Sequence, residues 1–208
     1  MAAVADSGPK APAGSRGGFG GISMATAIYL DYHGSMIGES ALLGELDRLG
    51  VSYRRFEHPA VFTCDEADRA VPDTVGGAHT KNLFLRDAKG RRHWLLVTSC
   101  AKAVDLSALS GMLDSGKLGF ASPDRLARYL GVTPGAVTVL GLVNDAERAV
   151  ELLVDREVWD APAWRCHPLV NTATLVIDRA AVERFLEATG HRPRVVDVRA
   201  RAPGSPGG

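Results

Sequence analysis

Two short runs hold the side chains best suited to chemistry. One is His79-Thr80-Lys81-Asn82-Leu83-Phe84-Leu85-Arg86-Asp87; the other, far downstream, is His167-Pro168-Leu169-Val170-Asn171-Thr172-Ala173-Thr174. Each sets polar groups where a strand is expected to begin, beside apolar residues. An ammonium, amides, an imidazole and hydroxyls could then line one small pocket rimmed by Leu and Phe, the composition of a small-molecule or acyl-group site. By strand alternation Lys81 shares a face with Leu83 and Leu85, at the open end of an apolar stripe. A point charge on a flexible stem suits pairing with phosphate or polarising an ester carbonyl. Gly76-Gly77-Ala78 ahead of it reads as a loop where backbone approaches something closely. Gly135-Ala136-Val137 reads either as a plain tight turn or as a loop whose amides hold a carbonyl oxygen or water.

Other candidates carry less. Gly111-Met112-Leu113-Asp114-Ser115-Gly116-Lys117-Leu118 nearly matches a phosphate-binding loop. Leu118, however, replaces the hydroxyl that would hold magnesium, and Asp114 adds negative charge, so a connecting turn is expected. Cys166 adjoins His167, but neighbours in a strand face opposite sides. Cys166 therefore reads as a small buried residue, and so do Cys64 and Cys100. The three cysteines are sparse and form no Cys-x-x-Cys pair. That argues against a disulfide framework or structural zinc, and for a reducing cytoplasm.

The elements that must position these groups follow from pattern. The 208 residues are 46% hydrophobic and 23% charged, as expected of one globular domain. No apolar run reaches the length of a membrane span, and the N-terminus lacks the pattern of a secretory signal. A formal net charge of zero argues against coating nucleic acid by bulk charge. Lys89, Arg91 and Arg92, with Lys102, Arg125 and Arg128, remain candidates for local phosphate contact. Residues 1–36 are rich in Gly, Ala, Pro and Ser and are expected to form a disordered extension, with Met24 a potential start. Residues 37–198 form the domain and 199–208 a disordered tail.

Within the domain, Ser40 to Leu49 has helical spacing and stops at Gly50. Val51 to Phe56 reads as a strand, and Thr63-Cys64-Asp65-Glu66 as a capping box opening a helix that ends before Pro72. Lys81–Arg86 and His93–Thr98 read as strands joined by a turn around Asp87-Ala88-Lys89-Gly90. Asp105 caps a short helix through Leu109. Ser122-Pro123 opens another helix, which Gly131 closes. Val137–Val143 and Ala149–Asp155 read as a hairpin turning at Asn144-Asp145. Thr172–Ile177 is a strand, Asp178 caps a helix to Thr189, and Arg194–Val198 closes the set. This order predicts an α/β (mixed α+β) single domain with a central mixed, largely antiparallel curved sheet flanked by helices.

Taken jointly, several segments resemble the YbaK-like aminoacyl-tRNA deacylases, related to the editing domain associated with prolyl-tRNA synthetase. The nearest branch is the free-standing proteins that clear alanine from proline tRNA. The likeness is carried by Glu57-His58-Pro59-Ala60-Val61-Phe62-Thr63, Thr80 to Asp87, Lys117 to Ser122, Leu130 to Thr138, Gly141 to Asp145 and His167 to Thr174. It implies a metal-free, cofactor-free ester hydrolase acting on the acceptor end of mischarged proline tRNA, with prolyl-tRNA synthetase a candidate partner and no membrane association. It further implies an essential lysine at Lys81, a histidine at His167 and, beside them, Asn82. The substrate loop matches Gly135, Ala136, Val137 and Thr138, with Val139 where proline is usual; Asn171 and Thr172 complete the expected substrate contacts. Deacylation of another small amino acid such as cysteine, or tRNA binding without turnover, are the alternatives.

Overall fold

The computed structural model describes residues 36–71 and 73–202. Apart from Met36, the expected N-terminal extension lies outside the described residues, as do Met24 and the chain from 203 onward.

Local chemistry sets the element boundaries. Helix α1, Glu39–Arg48, buries Leu42 and Leu46, and Gly50 follows in the left-handed region at φ 64°, which costs glycine little. Strand β1 is Tyr53–Glu57. Helix α2, Cys64–Ala70, opens on the expected capping box: Thr63 accepts from the Glu66 amide and the Glu66 carboxylate reaches back. Strands β2, Thr80–Asp87, and β3, His93–Ser99, form a hairpin closed by the Gly90 amide donating to Asp87 O. Helix α3, Leu106–Leu113, is capped by Asp105 and runs a turn beyond Leu109. Strand β4, Leu118–Phe120, precedes helix α4, Pro123–Leu130, which has the expected Ser122 cap and Gly131 stop. Then come β5, Val150–Asp155, a short α5, Arg156–Trp159, and β6, Ala163–Cys166. Strand β7, Ala173–Asp178, helix α6, Arg179–Thr189, and β8, Arg194–Val196, complete the domain.

The strands form two sheets rather than one. A three-stranded antiparallel sheet has the order β1-β7-β6, and a five-stranded mixed sheet the order β4-β2-β3-β5-β8. In the latter, β5 runs parallel to both β3 and β8. Alternation along the β2–β3 hairpin divides its side chains between two cores. Phe84, Leu95 and Val97 join Leu42, Leu130, Trp164, Ile177 and Phe185 in the larger one. Leu85, Trp94 and Leu96 face Leu109, Leu113 and Val196 in the smaller. The sheets meet at a short bridge in which the Ala78 amide donates to Ala163 O at 2.7 Å and the Arg165 amide to Ala78 O at 3.0 Å. That seam lies immediately before Lys81.

Three expectations give way. Val137–Val143 is not a hairpin strand: Thr138 caps a 3-10 turn over Val139–Asn144, and β5 pairs with β3 instead. There, Gly141 packs so closely on Leu130 that an added Cβ would lie 3.1 Å from its Cβ, which binds this turn to α4. The start of the expected tail is tied down: Arg199 O accepts from the Asp105 amide and Arg201 N donates to Ala103 O. Cys64 and Cys100 are not isolated buried thiols; they are half-exposed and joined in a disulfide with Cα atoms 5.8 Å apart. The inference of a reducing compartment from unpaired cysteines therefore loses its basis. Cys166 is buried as expected, and desolvation pushes its thiol up to about 12.

Candidate functional site

The seam between the sheets opens into a cavity of about 220 Å³. Strand β2 delivers Thr80, Lys81 and Asn82 to it; β6 and the turn after it deliver Arg165 and His167; β7 delivers Thr174. Thr80 Oγ1 donates to Arg165 O at 2.6 Å, fastening the two sheets at the cavity floor. Lys81 Nζ donates one hydrogen to Cys100 O at 3.1 Å, leaving two N–H donors on the ammonium. Partial burial lowers its pKa from the ordinary lysine value. The Asn82 Oδ1 is buried without a hydrogen-bond partner among the described residues. Such an orphaned acceptor costs about 1–3 kcal/mol and is where a substrate donor would gain most.

Hydrogen bonding fixes the state of His167. Its Nδ1 lies 2.9 Å from Ala173 O, and a carbonyl only accepts, so Nδ1 carries the proton and Nε2 keeps a lone pair. Burial, first, and the nearby His58 ring lower its pKa, while the bond to Ala173 partly offsets this. The ring is thus neutral at pH 7, a proton acceptor. By the same logic His58 Nδ1 donates to Pro59 O at 2.8 Å, and its Nε2 lies 3.0 Å from the Thr174 hydroxyl.

Opposite these groups stands the glycine loop. Gly135 has φ 91°, and a Cβ there would lie 2.9 Å from Phe62 Cδ1 and 3.3 Å from Asn171 Nδ2. Only glycine satisfies both the backbone angle and this approach. The Ala136 amide donates to Thr133 O. The amides of Gly135 and Val137, in contrast, meet no acceptor among the described residues. Phe62 is 70% exposed at the rim. Its amide is held by the Glu66 carboxylate at 2.7 Å. Beside it, Val61 and Asn171 exchange two hydrogen bonds of 3.0 Å each, through the Asn171 carbonyl and side-chain amide.

The remaining wall is α2. Cys64, Ala67 and Asp68 face the cavity, Asp68 contacts His79 Nδ1, and His79 Nε2 lies 3.5 Å from Asp73. The floor is braced by Arg165, 7% exposed, which donates to Gly76 O at 3.1 Å and Val71 O at 3.2 Å. Gly77, as the glycine run suggested, passes close to this group: its Cβ would meet Val176 at 3.2 Å.

Five of the expected site residues line the cavity together: Lys81, Asn82, His167, Gly135 and Val137. Ala136 and Thr138 are buried beneath the loop, where Thr138 Oγ1 accepts from the Leu140 amide. Asn171 braces the rim from outside. Thr172 is exposed and contributes only its carbonyl, to the His58 amide. Thr174, His79, Asp68, Arg165 and the Cys64–Cys100 pair were missed. Thr174 and His79 belonged to the two polar runs, but nothing in the sequence paired His79 with Asp68 or Cys64 with Cys100.

The basic candidates lie elsewhere. Lys89, Arg91 and Arg92 sit at the far end of the hairpin, about 20–25 Å from Lys81 at the usual strand rise. There Arg92 pairs with Glu151 and covers the Trp94 ring at 4.6 Å, and Arg125 donates to Gly90 O. Lys102 is committed to the buried Asp155 at 2.6 Å and to Glu157. None of these residues reaches the cavity. Among the described residues, no group of three or more His, Cys, Asp and Glu gathers as a metal site. No helix there is long and apolar enough to cross a membrane.

Comparison with known proteins agrees with this geometry. The family pattern of the aminoacyl-tRNA editing domain matches residues 58–185. The chain is 36% identical over 163 residues to the prolyl-tRNA editing protein ProX of Acetoanaerobium sticklandii, covering 78% of this chain and 99% of that one. It is 39% identical over 153 residues to a prolyl-tRNA synthetase associated domain-containing protein of Danio rerio, covering 73% and 82%. A solved structure described as a candidate trans-editing enzyme for prolyl tRNA synthetase superposes with a TM-score of 0.59 at 22% identity, over 80% of this chain and all of that one. This last likeness concerns the fold alone.

Proposed function

The chain belongs to the aminoacyl-tRNA editing domain family, and we propose that it is a trans-editing hydrolase that deacylates mischarged tRNA, foremost alanine-charged proline tRNA. The observation that carries this reading is the meeting of Lys81, Asn82, His167 and the Gly135 turn around one cavity of about 220 Å³. A synthetase pocket built for proline rejects a smaller amino acid weakly, since lost methylenes are worth about 1–3 kcal/mol. A second, smaller pocket can hydrolyse the error.

The chemistry follows from the groups in place. The aminoacyl ester enters with its small side chain inside the cavity and its terminal nucleoside at the rim beside Phe62. The Lys81 ammonium and the amides of Gly135 and Val137 face the carbonyl oxygen and the adjoining phosphate, where negative charge develops. The neutral His167 Nε2 takes a proton from water as its oxygen attacks the ester carbonyl. The ester C–O bond then breaks and the ribose oxygen leaves with a proton, releasing the amino acid and intact tRNA. Asn82 supplies an acceptor for a substrate N–H or O–H. Cys166 takes no part, being buried and protonated.

Such an enzyme acts where translation occurs, and its contact with phosphates makes binding weaken as salt rises. The test is ester loss from alanine-charged and proline-charged proline tRNA. The alanyl ester should disappear faster. Lys81→Ala should slow it by about 10²-fold or more, the usual effect of removing one oxyanion-stabilising group. Unchanged deacylation in that variant refutes the lysine-centred scheme, and binding without hydrolysis would favour a non-catalytic module.

A further inference from the structure

The Cys64–Cys100 disulfide joins two parts of the site whose relative position decides the shape of the cavity. Cys64 is the first residue of α2, and none of that helix's residues is buried in either core. Cys100 directly follows β3, and its carbonyl accepts from Lys81 Nζ at 3.1 Å. Apart from the disulfide, the side chains of α2 reach the domain through Asp68 at His79, while the flanking Val61 and Val71 are buried and their carbonyls accept from Asn171 and Arg165. A surface helix with no buried side chain belongs to the least stable part of a fold. Both cysteines are half-buried and line the open cavity, the route by which a soluble thiol would approach.

We propose that Cys64 and Cys100 form a thiol–disulfide modification site that fixes the α2 wall when oxidised and releases it when reduced. The co-reactant is a dithiol. One of its thiolates attacks Sγ of either cysteine, the Sγ–Sγ bond breaks, and the other cysteine leaves as a thiolate that takes up a proton. The second thiol of the reductant then displaces the mixed disulfide, so two electrons pass to the protein and the reductant becomes a disulfide. A disulfide-bearing oxidant runs the exchange backwards. Cys166 stays outside this exchange because burial keeps its sulfur inaccessible and protonated.

Applied to the editing reading on which its functional side rests, the bond acts on selectivity. With the wall fixed, the cavity keeps one shape between α2 and the Gly135 loop. With the wall released, Cys100 and the Lys81 ammonium it orients also gain freedom. Reduction should therefore lower kcat/KM for the alanyl ester several-fold while raising its relative rate on the prolyl ester.

The experiment compares full-length protein equilibrated with oxidised glutathione or dithiothreitol. Hydrogen exchange of residues 62–71 is read by mass spectrometry, and deacylation of both charged tRNAs is measured in parallel. Exchange in this segment should rise at least tenfold on reduction, and Cys64→Ser/Cys100→Ser should match the reduced protein under both conditions. Equal exchange and equal selectivity in the two states would overturn the proposal, as would failure of the pair to oxidise. A redox-dependent change in exchange with no hydrolysis in either state would leave the wall lock standing and reject the deacylase reading instead.

Discussion

Replacing Gly135 with alanine tests the construction of the site most directly. The residue sits at φ 91°, where a side chain is strained by about 1–2 kcal/mol. Its new Cβ would also lie 2.9 Å from Phe62 Cδ1 and 3.3 Å from Asn171 Nδ2. Phe62 is exposed and can swing outward; the amide of Asn171 is held by Val61 O and cannot do so freely. The loop must therefore shift by a few tenths of an ångström or more, and the amides of Gly135 and Val137 move with it. Misplacement of positioning groups on the scale of 1 Å costs about 10²-fold in rate. Gly50→Ala is the matched control: it has a similar positive φ of 64° but nothing within 4 Å of the added Cβ, and it is remote from the cavity. Both variants should lower Tm by about 2–8 °C, the shift produced by 1–2 kcal/mol in a domain of this size. Only Gly135→Ala should lose deacylation of alanine-charged tRNA, by about 10–100-fold. Wild-type activity in Gly135→Ala, or equal losses in the two variants, would refute the argument that this loop positions the substrate.

Four further outcomes follow from the same structure. Deacylation should fall as pH drops through the depressed pKa of His167, below the ordinary imidazole value, and His167→Gln should abolish that dependence along with most of the rate. Because the buried His93 and half-buried His167 rings bind protons less readily than in the unfolded chain, stability should decline as pH falls below about 6.5, read as a lower Tm in acid. Phe62→Ala should change stability by less than about 0.5 kcal/mol, as exposed positions do; it should weaken action on charged tRNA while sparing a minimal alanyl ester without a nucleoside, and equal effects on both substrates would count against a nucleoside contact at the rim. Asp155→Ala should destabilise by about 1–3 kcal/mol, since it leaves the buried Thr98 hydroxyl without its acceptor while Lys102 keeps Glu157, with activity per folded molecule retained.

What the sequence disclosed was whatever short-range chemistry decides. The Thr63–Glu66 box, the Ser122-Pro123 start with its Gly131 stop, and the turn at Gly90 each satisfy local hydrogen bonds or backbone angles, so they could be placed without tertiary knowledge. Val137–Val143 misled because its apolar, branched residues suit a strand equally well; the tight seating of Gly141 on Leu130, which fixes the 3-10 turn, depends on a residue in another element. Strand β6 escaped notice because Trp164, Arg165 and Cys166 are all buried and show no alternation. The site divides the same way. Lys81, Asn82 and His167 stood out by type and setting. The disulfide could not be foreseen, because its partners are 36 residues apart and meet only once the wall helix folds over the end of the β2–β3 hairpin.

Because α2 gives no side chain to either hydrophobic cluster, changes along it escape the usual penalty for altering a packed interior. Ala67, which faces the chamber and takes part in neither the disulfide nor the contact with His79, can therefore be exchanged to reshape the chamber while the two sheets keep their melting behaviour. A scaffold arranged this way can acquire preference for a different amino acid in few steps, with the hydrolytic groups on the opposite side left as they are.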